Sequence, residues 1–116
     1  MNKAKVLELI PENRALFSLP ALEKKTIARN VIEEIINQIE LESRNPFEWE
    51  KESLSYAFGL MLSGFYVAAI NGAMFCFLEQ HEVARPDFWW TETEGMTTQD
   101  LRITLAYADG APLKGD

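Results

Sequence analysis

The chain has 116 residues, 47% of them hydrophobic and 25% charged, with a formal net charge of -7. That length predicts one domain, residues 1–116, with a core of its own, and the ordinary composition excludes a disordered chain apart from its ends. The acidic balance disfavours direct nucleic-acid binding, and the one cysteine, Cys76, excludes an internal disulfide.

Charge is unevenly spread. Residues 1–30 hold six basic and three acidic side chains, net +3, whereas residues 31–116 hold five basic and fifteen acidic, net -10. Such a body attracts a basic partner and speeds association with it, although the same charge also serves plain solubility. The polar N-terminal stretch MNKAKVLELIPENR has too short an apolar part for a signal peptide, so a cytoplasmic setting is expected.

Residues 2–10 read as a short helix, capped by Asn2, with Val6, Leu7 and Ile10 on one face and Pro11 ending it. Residues 11–13 read as a turn, and Leu16, Phe17 and Leu19 form a small apolar cluster. Residues 20–43 make the clearest helix. Pro20 suits its first turn, and Leu22, Ile27, Val31, Ile35 and Ile39 recur at helical spacing, widened by Ile32 and Ile36. Glu33, Glu34, Asn37, Gln38 and Glu40 are placed on the opposite side. Asn45-Pro46-Phe47-Glu48 predicts a further helix start, with Asn45 as cap, Pro46 first and Glu48 three residues on. Phe47, Leu54, Phe58, Met61 and Leu62 form its apolar stripe.

Residues 53–78 contain no Asp, Glu, Lys or Arg. A transmembrane helix is one reading of such a run. A buried helical hairpin is the other, and it is preferred. Ser63-Gly64 offers a break with Gly64 as left-handed cap, and the flanks Glu48, Glu50, Glu52, Glu79 and Glu82 lack the basic bias of a membrane span. The hairpin is expected over residues 46–83. Its second helix, residues 65–83, carries Ile70, Met74, Phe77 and Leu78 and stops before Pro86. Gly64-Phe65-Tyr66-Val67-Ala68-Ala69-Ile70 resembles the G-x-Y-x-x-A-I pattern of tetratricopeptide-type helical hairpins, over at most about 34 residues. Ala73 and Cys76 stand where that family has Phe and Ala, and no second copy is present. The resemblance implies two close-packed antiparallel helices, and peptide binding is not carried over from it.

Residues 85–96 are irregular by composition, with Phe88, Trp89 and Trp90 adjacent among Asp87, Glu92 and Glu94. Residues 98–108 fit two descriptions. Leu101, Ile103, Leu105 and Tyr107 alternate as in a strand, while Leu101, Leu105 and Ala108, a Thr97 or Thr98 cap and Gly110 fit a helix, which is favoured for want of a partner strand. Residues 110–116 read as a loose tail. The fold class that results is all-α, an irregular bundle of four to five helices around a central helical hairpin.

The catalytic inventory is thin. His81 lies in Glu79-Gln80-His81-Glu82, where neighbours one and two apart do not converge on a metal. Cys76 and His81, five apart on the expected helix, point different ways. Glu33-Glu34 and the Glu48, Glu50, Glu52 series read as solvated faces rather than as general acid–base pairs. Spaced Gly59, Gly64 and Gly72 make no phosphate loop. No catalytic residue, metal or cofactor is expected.

Binding is better supported, because Trp and Tyr are favoured anchors of protein interfaces. The candidate partner-binding residues are Glu33, Glu34 and Glu40, with Asp87, Trp89, Trp90, Glu92 and Glu94 as an aromatic centre with an acidic rim. Glu42 extends the first group, and Glu48, Glu50 and Glu52 form a second acidic stripe. The function expected is a small acidic antagonist of a basic protein, of the general profile of immunity proteins, antitoxins and phage-encoded inhibitors. The alternatives are a helical adaptor or homo-oligomeric structural protein, with a homodimer through leftover apolar surface, and, third, a membrane-embedded hairpin.

Overall fold

The computed structural model describes residues 1–78 and 95–114. Six α-helices lie among these: α1 Lys3–Leu7, α2 Asn13–Ser18, α3 Ala21–Leu41, α4 Glu48–Leu62, α5 Tyr66–Met74 and α6 Thr98–Asp109. A 3-10 turn, Phe75–Phe77, follows α5. No strand occurs among the described residues. The ambiguous segment before the chain end is therefore helix, and its cap decides the matter. Asp100 N–H donates to Thr97 Oγ1 at 3.2 Å, and Thr97 N–H donates to Asp100 Oδ2 at 2.8 Å. This reciprocal pair satisfies two amides that a helix start leaves open.

Helix α3 is the axis of the molecule. Ala28, Val31, Ile32, Ile35, Ile36 and Ile39 are fully buried along it, and α5 and α6 pack on it. Helix α4 packs against α5 and α6, adding Leu54, Phe58 and Met61 to the same core. Val6 and Leu16 bring α1 and α2 to that core, and Leu101 and Leu105 bring α6. No helix among the described residues is long and apolar enough to cross a membrane.

The uncharged run folds back on itself at Gly64. Gly64 has φ 85°, a conformation that costs other residues energy. The amide of Phe65 donates to the Leu60 carbonyl at 2.9 Å and that of Gly64 to Met61 at 3.0 Å, a Schellman ending for α4. Beyond it, Ala69 and Ala73 are fully buried, and Gly72 faces α4. A Cβ on Gly72 would stand 3.2 Å from Tyr56 Cδ2 and 3.7 Å from Leu60 Cδ1. The close approach implied by the hairpin resemblance is thus present. Gly72→Ala is expected to stay within about 1 kcal/mol of native, because gained helix propensity offsets the crowded Tyr56 ring. Gly72→Val should cost about 1–3 kcal/mol by overpacking. Urea midpoints of the two variants check the order.

Several boundaries differ from expectation. The second hairpin helix stops at Met74, and Leu78 is already extended (φ -88°, ψ 154°). Residues 73–78 are all apolar, so periodicity had no polar side to lose there. Helix α4 begins at Glu48, not Pro46, and Asn45 does not cap it. Glu50 does so instead, its Oε1 accepting the Phe47 amide at 2.7 Å. Leu22 is 62% exposed, off the buried stripe, and Gln38 is buried. Gln38 Oε1 accepts the Asn2 amide at 2.6 Å, while its Nε2 donates to Asn2 O at 3.0 Å and Glu34 Oε2 at 2.9 Å. A buried amide is satisfied in this way, and α1 is tied to α3. Residues 111–114, expected as part of a loose tail, are held by hydrogen bonds to α3 and α5.

Candidate functional site

Three of the eight named partner-binding residues lie within the described part, all on α3, and each is engaged inside the chain. Glu33 pairs with Arg29 at 3.3 Å. Glu34 accepts from Gln38 and stands 4.0 Å from Lys5. Glu40 accepts from Arg102 Nε on α6 at 3.0 Å, and that guanidinium holds its carboxyl below the usual carboxylate range. Arg102 also bonds Asn37, which bolts α6 to α3. These acids form a laced seam more than an open stripe, since exposed pairs of this kind each contribute little stability but lower the free charge. Asp87, Trp89, Trp90, Glu92 and Glu94 lie outside the described residues, as do His81 and the expected helix end near residue 84.

The second acidic stripe is corrected. Glu50 is 1% exposed and Glu52 8%. At about 100° per residue, Glu50 points roughly 200° away from Glu48, which turns it inward, whereas Glu52 is buried although it lies only about 40° round from Glu48. Glu48 remains outside, 3.0 Å from Lys51.

Burial of Glu50 creates the most developed polar feature of the described chain. Arg44, in the loop between α3 and α4, grips it bidentately, Nη1 to Oε1 at 2.7 Å and Nη2 to Oε2 at 2.9 Å. Arg44 Nε also reaches Glu42 at 2.7 Å. Hydrogen bonds to Glu50, then to Glu42, push the guanidinium's proton affinity up, and the Glu42 carboxyl is held low chiefly by Arg44 and then by the chain's amino group. The same guanidinium carbon sits 3.9 Å above the Phe47 ring centroid. Trp49 stacks on Phe47 with centroids 4.4 Å apart and planes 14° from parallel. Cation, ring and indole therefore form a fixed ladder, whose geometry favours attraction of positive charge to aromatic faces.

This ladder borders a cleft of about 280 Å³, lined also by Glu42, Cys76, Phe77 and Leu78. Glu42 on the cleft wall and Glu48, next to Trp49 in sequence, keep partly exposed carboxylates, paired with Arg44 and with Lys51. Leu78, on the cleft wall, is the last described residue before the segment whose sequence holds Trp89, Trp90 and five acids. Cys76 is buried at the cleft, its Sγ lies 3.8 Å from the Glu50 carbonyl, and burial, then the Glu50 charge, push its thiol well up. Among the described residues no three His, Cys, Asp or Glu side chains are grouped to hold a metal.

Sequence reasoning missed Arg44, Phe47 and Trp49 as a unit. The apolar spacing predicts Phe47 in the core stripe of α4, yet it precedes the first helical residue and is exposed. The available signal was the loop arginine standing three residues before Phe47. A second cleft, about 350 Å³, is lined by Phe17 and Phe65, with Tyr66, Val67 and Ala68. Phe17 is 63% and Phe65 61% exposed.

No family model matches the chain, and no curated protein or solved structure matches it at a significant level.

Proposed function

We propose that this chain is a small acidic protein-binding module that occupies and blocks a basic protein partner in the cytoplasm, without chemistry of its own. The observation that supports this reading best is the Arg44–Phe47–Trp49 ladder beside Glu42 and Glu48. It gives a rigid aromatic anchor with carboxylates at its edge, in the part of the chain that carries net -10. Aromatic anchors that are already packed lose little freedom on binding, and acidic rims speed capture of a basic surface. The acids of α3, like Glu42 and Glu48, are paired within the chain, and a partner's cations would share or replace those pairs.

The test is affinity capture on the immobilised chain at low and at high salt, followed by titration of the captured protein. A basic partner bound one to one and released by salt is expected. Trp49→Ala and Glu48→Lys should each weaken it by about tenfold or more, with unchanged helical circular dichroism. A partner that is not basic, or binding indifferent to salt and to both substitutions, rejects the reading.

Phe17 and Phe65 favour a second reading, self-association as a homodimer or adaptor through the other cleft. Light scattering that shows a salt-tolerant dimer, reduced to monomer by Phe65→Asp, would select it.

A further inference from the structure

The turn at Gly64 lies in the charge-free run of residues 53–78, and α2 and the start of α3 share one cleft with it. Phe17 and Phe65 stay 63% and 61% exposed there, and Val67 and Ala68 extend the apolar wall. Such a wall takes an apolar body. The cleft volume, about 350 Å³, lies at the lower end of small-molecule sites. At roughly 30 Å³ for each liquid water, it holds about a dozen non-hydrogen atoms. Among the described residues of the lining, Lys24 is the one charged side chain, and there is no acid. A lone cation selects an anionic end and repels an ammonium. Lys24 keeps a contact within the chain, which an anion would share or replace. The first turn of α5 runs along the same wall without a side-chain cap, and the Val67 and Ala68 amides have no acceptor among the described residues. A helix start alone makes no site, but here its positive potential adds to a walled cavity and a cation. Residues 11–25 hold Arg14, Lys24 and Lys25 against Glu12 and Glu23, so this end does not share the chain's acidic excess.

We propose that this cleft binds a small amphipathic anion, a monocarboxylate of about ten to twelve non-hydrogen atoms, with its apolar body against Phe17, Phe65 and Val67 and its carboxylate at Lys24. The proposal is independent of the Phe47–Trp49 ladder, which is built from other elements. A second copy of the chain seated on Phe65 would compete for the same surface.

The experiment uses the full chain, labelled with nitrogen-15, and sodium octanoate as the probe, with octylammonium chloride as the cation of matched length. Octanoate should shift the Phe65, Val67 and Ala68 amide resonances saturably, with half-saturation on the order of millimolar for so small a ligand. The Trp49 indole resonance should stay fixed. Octylammonium should bind at least about tenfold more weakly. Lys24→Gln should weaken octanoate about fivefold, the effect of one half-exposed ion pair, with unchanged circular dichroism. Lys24→Arg, which keeps the charge, should stay within about threefold of native. Phe65→Ser should weaken octanoate about tenfold through lost apolar contact. Resonances that stay fixed up to about 20 mM octanoate overturn the proposal. So does octylammonium that binds as well as octanoate, a Lys24→Gln protein that binds like the native one, or a dimer by light scattering whose Phe65 contact excludes octanoate.

Discussion

Arg44→Met should destabilise the fold by about 3–5 kcal/mol, far more than its position in a surface loop suggests. The substitution leaves the Glu50 carboxylate 1% exposed and without its bidentate cation, with the Phe47 amide still donating to Oε1. An uncompensated buried charge is what makes the loss large, since water cannot reach it and one amide does not replace a guanidinium. Glu50→Gln is expected to cost less, about 1–3 kcal/mol. It keeps an acceptor for Phe47, and Arg44 retains Glu42 at 2.7 Å. The double variant Arg44→Met, Glu50→Met should be more stable than Arg44→Met alone, because two apolar side chains leave no orphaned charge. Denaturant unfolding of the native protein, Arg44→Met, Glu50→Met and the double variant closes the cycle, with Glu50→Gln measured beside them. An Arg44→Met protein within about 1 kcal/mol of native would show that Glu50 finds water or another cation, contrary to its enclosure. The ladder should loosen in step, because Arg44 is also the cation above Phe47, and Trp49 fluorescence reports it in a Trp89→Phe, Trp90→Phe background.

The pair explains why the architecture was legible and the site was not. Helices declare themselves by period, and a charge-free run broken at Ser63-Gly64 declares a hairpin, because Gly64 alone fits φ 85° there at little cost. Burial of a charge breaks the rule on which such readings rest. Glu50 lies among Glu48 and Glu52 and looks solvated until a loop arginine six residues earlier is seen to fold onto it. Lys25 and Gln38 follow the same pattern, polar side chains whose acceptors and donors are main-chain groups 86 and 36 positions away. Contacts of that range leave no local trace. The acids of α3 lie on its polar side in part; Glu33 pairs with Arg29 of the same helix, but the cations of Glu34 and Glu40, Lys5 and Arg102, sit on α1 and α6. The packing of α1 and α6 reveals the partners of Glu34 and Glu40.

Ile35→Ala should cost about 2–5 kcal/mol, whereas Leu22→Ala, in the same sequence stripe, should fall within about 0.5 kcal/mol of native. Both residues are aliphatic, on one helix, and the spacing places both on its apolar face. Ile35 is fully buried near the middle of α3, where α5 and α6 both pack on that helix. Deleting three of its carbons opens a cavity that close-packed neighbours fill only partly. Leu22 is separated from Ile27 by five residues, not three or four. At about 100° per residue it points roughly 140° away from Ile35, while Ala21, Lys25, Ala28, Ile32, Ile35 and Ile39 keep to one side. It also sits at the second residue of a helix about 31 Å long in a molecule 35 Å in its longest dimension, so its turn lies at the rim. Paired unfolding curves on the two alanine variants decide the matter. Equal losses would place Leu22 under a cover that the fold does not provide; a small loss for Ile35 would mean that α5 and α6 collapse onto the vacancy.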